Sequence, residues 1–335
     1  MSSLAFGLVY DLLGTHPRRH GDPPDVDAEY EPEETVCVLE AAVRELGHRP
    51  LRLGNPHDLL ARIGKGELPP LDVALSIAEG YGGRERETWA PVLLAMAGVP
   101  TLGSDAVSLS VTLDKAWAAT LVSAAGVPIA KQRVVGIGDD MKSIDLPGPF
   151  PLFVKPRWEG TAKGIGPGSR VESRAALAVE VARIARDYAQ PALVEEFLPG
   201  AEYTVTIVGH APPRALPALQ RALEKTTGIG LHALERHAPP PGGWRHHVPG
   251  RLDAALEAEL AELALRAFTT LECLDFARAD FRLDAAGRPR FLEINPLPTF
   301  APDGTFGILA ELEGRSLPSL LAGVLELGLR RLGLA

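Results

Sequence analysis

The pattern of apolar positions changes period several times along the first third of the chain. Uninterrupted apolar runs, typical of buried strands, alternate with segments whose apolar residues recur every three or four positions, as in a helix. Val36, Leu39, Val43 and Leu46 form the clearest helical set. The predicted strands cover residues 4–12, 49–54 and 71–80, and the predicted helices cover 31–48, 55–66 and 86–100. This alternation predicts a doubly wound parallel sheet within residues 1–110.

The remaining chain divides into two further units, residues 111–200 and 201–335. In the first of these we expect a helix with Thr112 as its N-cap, a strand, a glycine-rich loop and a second helix. Two strands that break at Pro199–Gly200 lead into the last unit, which adds a long helix, a hairpin and a terminal helix. The corresponding segments are 112–128, 150–156, 157–169, 173–189, 192–209, 214–220, 252–268, 276–295 and 316–333. The predicted class is α/β, with α+β character in the C-terminal part.

Composition narrows the range of functions. The chain has 335 residues and a net charge of −9, and it contains no run dense in Lys or Arg. An acidic chain without a basic patch has no electrostatic basis for binding nucleic acid or an anionic membrane. Cys37 and Cys273 form neither a disulfide framework nor a zinc pattern, and the N-terminus lacks the features of a signal peptide. We therefore expect a cytoplasmic protein without a membrane anchor.

A hairpin near the end of the chain concentrates polar side chains. In FARADFRL, Arg278, Asp280 and Arg282 alternate with apolar residues and so share one face of a strand. In RFLEIN the same alternation predicts a shared face for Phe291, Glu293 and Asn295.

The loop AAGR (285–288) sets the expected register of this hairpin. Opposed side chains have Cβ atoms about 4.5–5.5 Å apart, so two facing carboxylates repel unless a cation lies between them. Asp, Glu and Asn oxygens suit Mg²⁺, and a neighbouring arginine suits a phosphate or a developing oxyanion. The alternative is an exposed hairpin whose polar face is solvated. The expected opposed pairs are Asp284 with Pro289, Asp280 with Glu293, and Arg278 with Asn295.

A second unusual stretch is LFVKPRWEGTAKGIG. Lys155 ends an apolar strand there, and four glycines follow between residues 160 and 168. Such a loop can bend close to phosphate oxygens and present backbone N–H groups. The GxxxxGK[ST] motif is absent and no GxGxxG follows a strand, so the loop alone remains compatible with a purely structural role. Lys115, near a helix start, is by itself more typical of a solvated residue.

A third stretch, ALVEEFLPGAEYTV, ends a short apolar strand with Glu195 and Glu196 and continues to Glu202. Taken alone, these carboxylates are typical of a solvated turn. In a nucleotide site, such a segment offers backbone groups to adenine and a carboxylate to the ribose hydroxyls.

Taken in order, these stretches resemble the ATP-grasp superfamily and, within it, the D-alanine–D-alanine ligase family. The motifs are SIAEGYGGRERETWAPVLLAMAGVPTLGSD, LSVTLDKAW, FVKPRWEGTAKGI, VEEFLPGAEYTV, FARADFRL and FLEINPLP, from about residue 72 to 300. The resemblance implies an ATP-grasp fold behind an N-terminal doubly wound domain. It divides the chain into an N-terminal domain (1–110), a central subdomain with a glycine-rich lid (111–200) and a C-terminal subdomain with a metal site (201–335).

The resemblance also implies roles for individual residues. Lys115 and Lys155 resemble the lysines that hold the ATP phosphates, and Lys225 is a further candidate. Arg278 resembles the arginine that stabilises the tetrahedral intermediate, and Thr161 replaces a lid serine. The other implied roles are adenine binding for Glu195, Glu196, Phe197 and Leu198, ribose binding for Glu202, and binding of two Mg²⁺ ions, with Mn²⁺ as an alternative, for Asp280, Glu293 and Asn295.

The chain departs from the family at its substrate motifs. The N-terminal GGxSxE, whose carboxylate holds the first amino acid's ammonium in the family, is missing, and Glu33 or Glu34 is only a loose candidate. Glu79 stands where the family has histidine, and Arg84 stands where it has glutamate. After Asn295 the acceptor motif is replaced by PLPTFAPDGT, which makes Thr299, Asp303 and Gly304 the candidate substrate residues.

The implied activity is ATP-dependent ligation of a carboxylate to an amine through an acyl phosphate, with ATP and magnesium as cofactors. D-Alanine–D-alanine ligation for peptidoglycan synthesis is the leading interpretation, with small amino acids as partners and a homodimer as the expected assembly. A ligase that joins other amino acids, a nucleotide-binding protein without catalysis and a dinucleotide oxidoreductase are the alternatives. The intact lysine and metal-ligand set argues against lost catalysis, and the missing GxGxxG after the first strand argues against an oxidoreductase.

Overall fold

A computed structural model describes residues 3–224, 226–234 and 252–335 of the chain. Its first part is a four-stranded parallel sheet in the order β2–β1–β3–β4, as the alternating pattern predicted. Phe6 and Leu8 pack against α1 in one core cluster, whereas Val9 and Leu53 belong to a cluster on the α2 and α3 side. Both faces of the sheet are therefore covered. The elements are β1 (Ala5–Val9), α1 (Glu33–Glu45), β2 (Arg49–Gly54), α2 (Pro56–Lys65), β3 (Val73–Ser76), α3 (Trp89–Met96) and β4 (Thr101–Leu102).

Two helices follow, of which only the second falls within the predicted helix 112–128. α4 covers Ala106–Leu113, and α5 covers Lys115–Ala124. The predicted N-cap Thr112 is wrong, because Thr112 lies in the last turn of α4 and its hydroxyl donates to the Ser108 carbonyl at 2.8 Å. Asp114 caps α5 instead, since its carboxylate accepts from the Trp117 N–H at 3.2 Å. This cap fixes the position of Lys115, the first residue of α5.

The central part is an antiparallel sheet in the order β5–β8–β6–β7. Leu152, Val154 and Val194 form its core with Leu177 and Ile184 of the following helix. The elements are β5 (Gln132–Val135), β6 (Leu152–Pro156), β7 (Arg170–Val171), α6 (Arg174–Tyr188) and β8 (Ala192–Glu196).

The C-terminal part contains a second antiparallel sheet in the order β12–β11–β9–β13–β14, with β10 paired to β9. α5 and α7 share one core cluster with this sheet, through residues such as Val122, Phe268 and Phe281. The elements are β9 (Glu202–Val208), β10 (Arg214–Ala215), β11 (Leu219–Leu223), β12 (Gly230–Leu234), α7 (Ala254–Thr270), β13 (Phe276–Leu283) and β14 (Pro289–Asn295).

The last two helices return to the N-terminal sheet. α8 (Thr305–Glu313), which the sequence pattern did not predict, and α9 (Leu317–Arg331) contribute to the same core cluster as Phe6 and Val36. Each of the three sheets falls within one of the proposed units, while α9 packs against α1 of the first unit. The boundaries near residues 110 and 200 remain proposals. Among the described helices, none has the length and apolar character needed to cross a bilayer.

The hairpin β13–β14 has the predicted register at its polar end and a different one near its loop. Asp280 opposes Glu293 and Arg278 opposes Asn295, as expected, but Leu283 rather than Asp284 opposes Pro289. A β-bulge between the two regions adds one residue to β14, which is Leu292.

The bulge changes which face one of these residues occupies. Phe291 opposes Phe281 and packs against it in the core, with ring centroids 5.8 Å apart. The expectation that Phe291 shares a face with Glu293 is therefore wrong. The bulge keeps Phe291 in the core while Glu293 remains paired with Asp280.

Candidate active site

A cavity of about 420 Å³ lies between the central and C-terminal sheets. Strands β6 and β8 supply Lys155 and Glu195, and β13 and β14 supply Asp280 and Glu293. A neighbouring cavity of about 30 Å³ contains Glu79 and Asn295 in its lining. Lys225 lies outside the described residues. The other sequence-predicted residues that line the larger cavity are Lys115, Thr161, Glu196, Phe197, Leu198, Glu202, Arg278, Thr299, Asp303 and Gly304.

Two lysines form ion pairs at the centre of the larger cavity. The Lys155 Nζ lies 2.9 Å from the Glu195 Oε2, across the neighbouring strands β6 and β8. The Lys115 Nζ lies 3.0 Å from the Glu293 Oε2. Burial lowers the pKa of Lys155, but Glu195 and Glu293 outweigh burial and raise that pKa, so the side chain stays charged. The two ammonium groups are thus held at the centre of the cavity by carboxylate partners.

Asp280 and Glu293 face each other as the register predicted, and Asn295 lies two residues further along β14, opposite Arg278. The Asp280 Oδ1 accepts from the Thr204 hydroxyl at 2.5 Å and from the Arg278 Nε at 3.2 Å. Burial would raise the pKa of Glu293, but Lys115, Lys155 and Arg278 hold it at about 2, so this carboxylate is ionised at neutral pH. The Asn295 Oδ1 accepts from the Leu297 N–H at 2.8 Å, which fixes the orientation of the amide.

This donor set fits magnesium. It consists of hard oxygen atoms, and ordinary Mg²⁺ sites use one or two carboxylates together with substrate phosphates. Within the described ranges, no group of three or more His, Cys, Asp or Glu side chains is arranged to hold a metal unaided. Ions at Asp280 and Glu293 would therefore take further ligands from a bound phosphate group.

The far end of the cavity is built around Phe197. The guanidinium groups of Arg170 and Arg282 lie 4.6 Å and 5.3 Å from its ring centroid. Arg282 also lies 3.4 Å from the buried carboxylate of Glu202, whose pKa is raised by burial in spite of nearby arginines. The bulged residue Leu292 lines the cavity as well. An aromatic ring, an aliphatic side chain and a ribose-type carboxylate give this end the character of a nucleoside site.

The glycine-rich loop 157–169 approaches the cavity with a strained backbone. Thr161 and Ala162, both of which line the cavity, have φ values of 48° and 53°. Non-glycine residues rarely adopt this left-handed region, and such strain concentrates at functional sites.

Glu29 joins this loop to the N-terminal segment. Its carboxylate accepts from the Gly160 N–H at 2.5 Å, from the Lys163 Nζ at 2.8 Å and from the Arg86 Nη2 at 2.7 Å. A Cβ atom at Gly160 would lie 2.9 Å from the Glu29 Oε1, so a larger residue here would displace the Glu29 carboxylate from this position. Arg86 and Lys163 overcome the effect of burial and hold the pKa of Glu29 at about 2. We name this contact the loop latch: Glu29, Arg86, Gly160 and Lys163.

Several carboxyl groups line the smaller cavity. Glu79 and Glu87 line it together with Lys115, Glu293 and Asn295. Burial, followed by the charge of Glu87, raises the pKa of Glu79 well above its usual value, and burial raises the pKa of Glu87 to about 7.

Thr299, Asp303 and Gly304 also line the larger cavity, together with Glu31. The Glu31 Oε2 accepts from the Thr35 hydroxyl at 2.8 Å, and burial raises the pKa of Glu31.

The two glutamates suggested for the first ammonium lie elsewhere. Glu33 forms an ion pair with Arg52 at the start of α1, and neither Glu33 nor Glu34 lines either of these two cavities. Arg84 stacks on the Trp117 ring, with its guanidinium carbon 4.2 Å from the ring centroid.

Sequence reasoning missed Glu29, Arg86 and Glu87. Glu29 lies in a segment without periodicity, and its partners are more than 50 residues away. The one available signal was the run RERE (84–87), where charged residues enter a stretch that is otherwise apolar and helix-forming.

Comparison with known proteins agrees with this geometry. Residues 121–326 match the family model described as D-ala D-ala ligase C-terminus. The chain is 32% identical over 260 residues to the D-alanine–D-alanine ligase of Halorhodospira halophila, covering 77% of this chain and 80% of the relative. It is 30% identical over 280 residues to the D-alanine–D-alanine ligase of Gluconobacter oxydans, covering 83% and 88%. An uncharacterized protein of Sinorhizobium fredii is 31% identical over 304 residues, covering 87% and 86%.

Solved structures share the fold. The Bacillus anthracis D-alanine–D-alanine ligase complexed with ATP superposes with a TM-score of 0.71 at 19% identity, over 98% of each chain. The VanG D-Ala:D-Ser ligase of Enterococcus faecalis gives a TM-score of 0.72 at 19% identity, over 97% of this chain and 99% of that one. The predicted ATP-grasp architecture is confirmed by these superpositions, and the family model and the relatives together show that the chain belongs to the D-alanine–D-alanine ligase family.

Proposed function

We propose that the protein is an ATP-dependent carboxylate–amine ligase of the D-alanine–D-alanine ligase type. The observation that carries the proposal is the opposed pair Asp280–Glu293, with Lys115, Lys155 and Arg278 around it, on the wall of one cavity. Two carboxyl groups among three basic side chains suit a triphosphate with its counter-ions. The same cavity has a nucleoside-type end and an end suited to small polar substrates.

The reaction would run in two steps. A substrate carboxylate attacks the γ-phosphorus of ATP, which gives an acyl phosphate and releases ADP. The amine of a second amino acid then attacks the acyl carbon, and phosphate leaves from the tetrahedral intermediate while the amine loses a proton.

The residues of this chain would mainly align the reactants and neutralise charge. Lys115 and Lys155 would hold phosphate oxygens, and Arg278 would stabilise the oxyanion of the tetrahedral intermediate. Asp280, Glu293 and Asn295 would hold two magnesium ions, which neutralise charge on the transferred phosphoryl group when bound. Thr161 would approach the reacting groups from the loop, and Lys225 remains a candidate phosphate ligand.

The nucleoside would lie along the segment that ends β8. Backbone groups of that segment would meet adenine, and Glu202 would accept hydrogen bonds from the ribose hydroxyls. Glu79, Thr299, Asp303 and Gly304 would contact the amino-acid substrates. The adenine segment comprises Glu195, Glu196, Phe197 and Leu198.

We further propose that the product enters peptidoglycan precursor synthesis in the cytoplasm and that the protein acts as a homodimer. D-Alanine is the first substrate to test, since the named relatives are D-alanine–D-alanine ligases.

The test is a screen of D- and L-amino acids, singly and in pairs, for ADP release, with the product identified by mass. We expect D-alanine to give a dipeptide. Turnover with another pair of amino acids and none with D-alanine would support the ligase activity but reject D-alanine as the substrate. Binding of ATP without ADP release in any pair would favour a nucleotide-binding protein without catalysis.

A further inference from the structure

Asp114 is a buried carboxylate that joins helix α5 to the glycine-rich loop. It is the N-cap of α5 and is 1% exposed. Its Oδ1 accepts from the Trp117 N–H at 3.2 Å and from the Arg157 Nε at 2.7 Å. Its Oδ2 accepts from the Trp158 Nε1 at 3.1 Å. Capping a helix needs only one acceptor oxygen, so the carboxylate also holds the side chains of the first two loop residues.

The same junction fixes Lys115, the residue that follows Asp114. The Lys115 N–H donates to the Arg157 carbonyl at 3.3 Å. Its ammonium group donates to the Glu159 carbonyl and lies 3.0 Å from the Glu293 Oε2. Both the backbone and the side chain of Lys115 therefore contact the start of the loop. A displacement of the loop start relative to α5 would move the ammonium group away from the centre of the larger cavity.

Two arginines and two indole rings surround the Asp114 carboxylate. The Arg84 Nη1 lies 3.7 Å from the Asp114 Oδ2, and the Arg84 guanidinium carbon lies 4.2 Å from the Trp117 ring centroid. The Arg157 guanidinium carbon lies 5.9 Å from the Trp117 centroid and 5.8 Å from the Trp158 centroid. A buried carboxylate is tolerated when it is paired and hydrogen-bonded, and these neighbours meet both conditions. Arg84, a departure from the family's motifs, thus adds positive charge beside Asp114.

Other residues hold the backbone of the loop start independently of Asp114. The Trp158 N–H donates to the Gln190 Oε1 at 2.6 Å, and the Trp158 carbonyl accepts from the Arg86 Nη1 at 2.9 Å. Asp114 binds the indole of Trp158 instead. The Asp114–Trp158 hydrogen bond can therefore be removed while the backbone anchors of the loop stay in place.

We propose that Asp114 is a positioning residue for nucleotide binding, which aligns Lys115 with the start of the glycine-rich loop so that both meet the ATP phosphates together. The inference rests on the nucleotide site of the proposed function. Asp114 lines neither of the two cavities, so it acts through Lys115 and Trp158 rather than by contact with the ligand. A residue that only capped α5 would affect stability and leave nucleotide affinity unchanged.

Two variants separate positioning from capping, and calorimetric titration of the full-length protein with MgATP measures their effect. Asp114→Asn keeps one acceptor oxygen for the cap, but its amide nitrogen cannot accept from the Trp158 indole. Trp158→Phe removes the same hydrogen bond from the other side and keeps an aromatic ring. We expect each variant to raise the Kd for MgATP on the order of 10-fold, as for loss of a hydrogen bond to a charged group. The double variant should bind about as weakly as Asp114→Asn alone, because both changes remove one bond.

Asp105→Asn is the matched control. Asp105 caps α4 through its Oδ1, which accepts from the Ser108 N–H at 2.9 Å, but it is exposed and precedes a different helix. Its Kd for MgATP should equal the native value. In turnover assays, the KM for ATP of the Asp114 and Trp158 variants should rise with their Kd, while the KM for the amino-acid donor stays within about twofold. Loss of stability alone would not produce this difference between the two KM values.

The outcomes distinguish the inference from the proposed function. A native Kd for MgATP in the folded variants, or independent effects that add in the double variant, would overturn the inference and leave the ligase function standing. If Asp114→Asn fails to fold, Trp158→Phe alone decides between these results. Binding of MgATP that depends on Asp114, without ADP release in any amino-acid pair, would support the inference and reject the ligase. Failure of the native chain to bind MgATP would overturn both.

Discussion

Glu293 is the residue on which the proposed chemistry depends most. Glu293→Gln keeps the shape of the side chain but removes the charge that faces Lys115, so counter-ions at the phosphates would lose a ligand. We expect turnover, measured as ADP release, to fall on the order of 100-fold or more. Glu326→Gln, on the outer face of α9, is the control and should have no effect. Near-normal rates of Glu293→Gln at ordinary Mg²⁺ concentrations would show that the hairpin takes no part in catalysis.

Asn295 should contribute to the binding of Mg²⁺ rather than to the binding of the nucleotide. Its amide oxygen is oriented by the Leu297 N–H, and Asn295→Ala removes that oxygen without a change in charge. We expect the Mg²⁺ concentration for half-maximal rate to rise on the order of 10-fold, with little change in the maximal rate. The measurement is a magnesium titration at saturating ATP. An unchanged titration would exclude Asn295 as a ligand.

Glu87 should make stability depend on pH. Its folded pKa of about 7 lies above the usual value of 4.5, because burial disfavours the charged form. Below the unfolded pKa, such a group is neutral in both states and does not lower the free energy of unfolding. As pH rises from the unfolded pKa toward the folded pKa, the group lowers the free energy of unfolding progressively. Glu87→Gln should therefore be more stable than the native chain at pH 8, by on the order of 1–3 kcal/mol, with a gain that disappears near pH 4.

Urea unfolding without substrate, across this pH range, checks that expectation. Glu85→Gln provides the baseline, since an exposed carboxylate has no comparable burial cost. A difference between Glu87→Gln and the native chain that does not vary with pH would contradict the assignment of Glu87 as a buried, uncompensated acid.

At the scale of elements, the sequence predicted most strands and helices, but it could not show where their regular geometry breaks. Counting back from the loop gave the correct pairing of Asp280 with Glu293, because the one-residue error in register at the loop is cancelled by the residue that the bulge adds. Leu292 has no side-chain property that marks it as an inserted residue, so the register near the loop was wrong by one. The bulge matters for function, since it places Leu292 at the cavity while Phe291 stays in the core.

The loop latch could not be predicted either, since it joins residues 29 and 160, which no local pattern connects. Glu29→Gln would break two buried ion pairs that hold the glycine-rich loop. We expect tryptic cleavage after Lys163 to accelerate at least about 10-fold, because breaking a buried pair is strongly destabilising. MgATP should slow this cleavage if the loop closes over nucleotide.

Glu33→Gln is the matched control for the latch, because the Glu33–Arg52 pair lies on α1 and β2, away from the loop. Equal digestion of Glu29→Gln, Glu33→Gln and the native chain would show that the latch does not restrain the loop. Equal digestion with and without MgATP would count against a closing lid.

At the scale of the whole molecule, the proposed substrate end of the cavity is assembled from distant parts of the chain. Glu31 comes from the segment before α1, Thr161 from the central loop, and Thr299 and Asp303 from the segment before α8. The resemblance made Thr299 and Asp303 candidate substrate residues. Glu31 could not be predicted, because it lines the cavity only once the N-terminal and C-terminal parts of the chain pack together. This end is acidic in a chain whose net charge is already −9.

The acidic substrate end predicts a weak affinity for an acceptor with a free carboxylate. Asp303 is exposed, so its repulsion is screened by water. The Gly304 N–H donates to the Ala301 carbonyl at 2.9 Å, so the Thr305 N–H, in the first turn of α8, is the backbone donor for the acceptor carboxylate. We expect D-alanine to serve as both substrates with a high acceptor KM, and Asp303→Asn to lower that KM about threefold without changing the donor KM. Initial rates of dipeptide formation at saturating ATP and donor check both values, with Glu313→Gln, at the far end of α8, as the control. A higher acceptor KM in Asp303→Asn would mean that Asp303 attracts the ammonium group of the acceptor instead of repelling its carboxylate, and it would contradict this prediction.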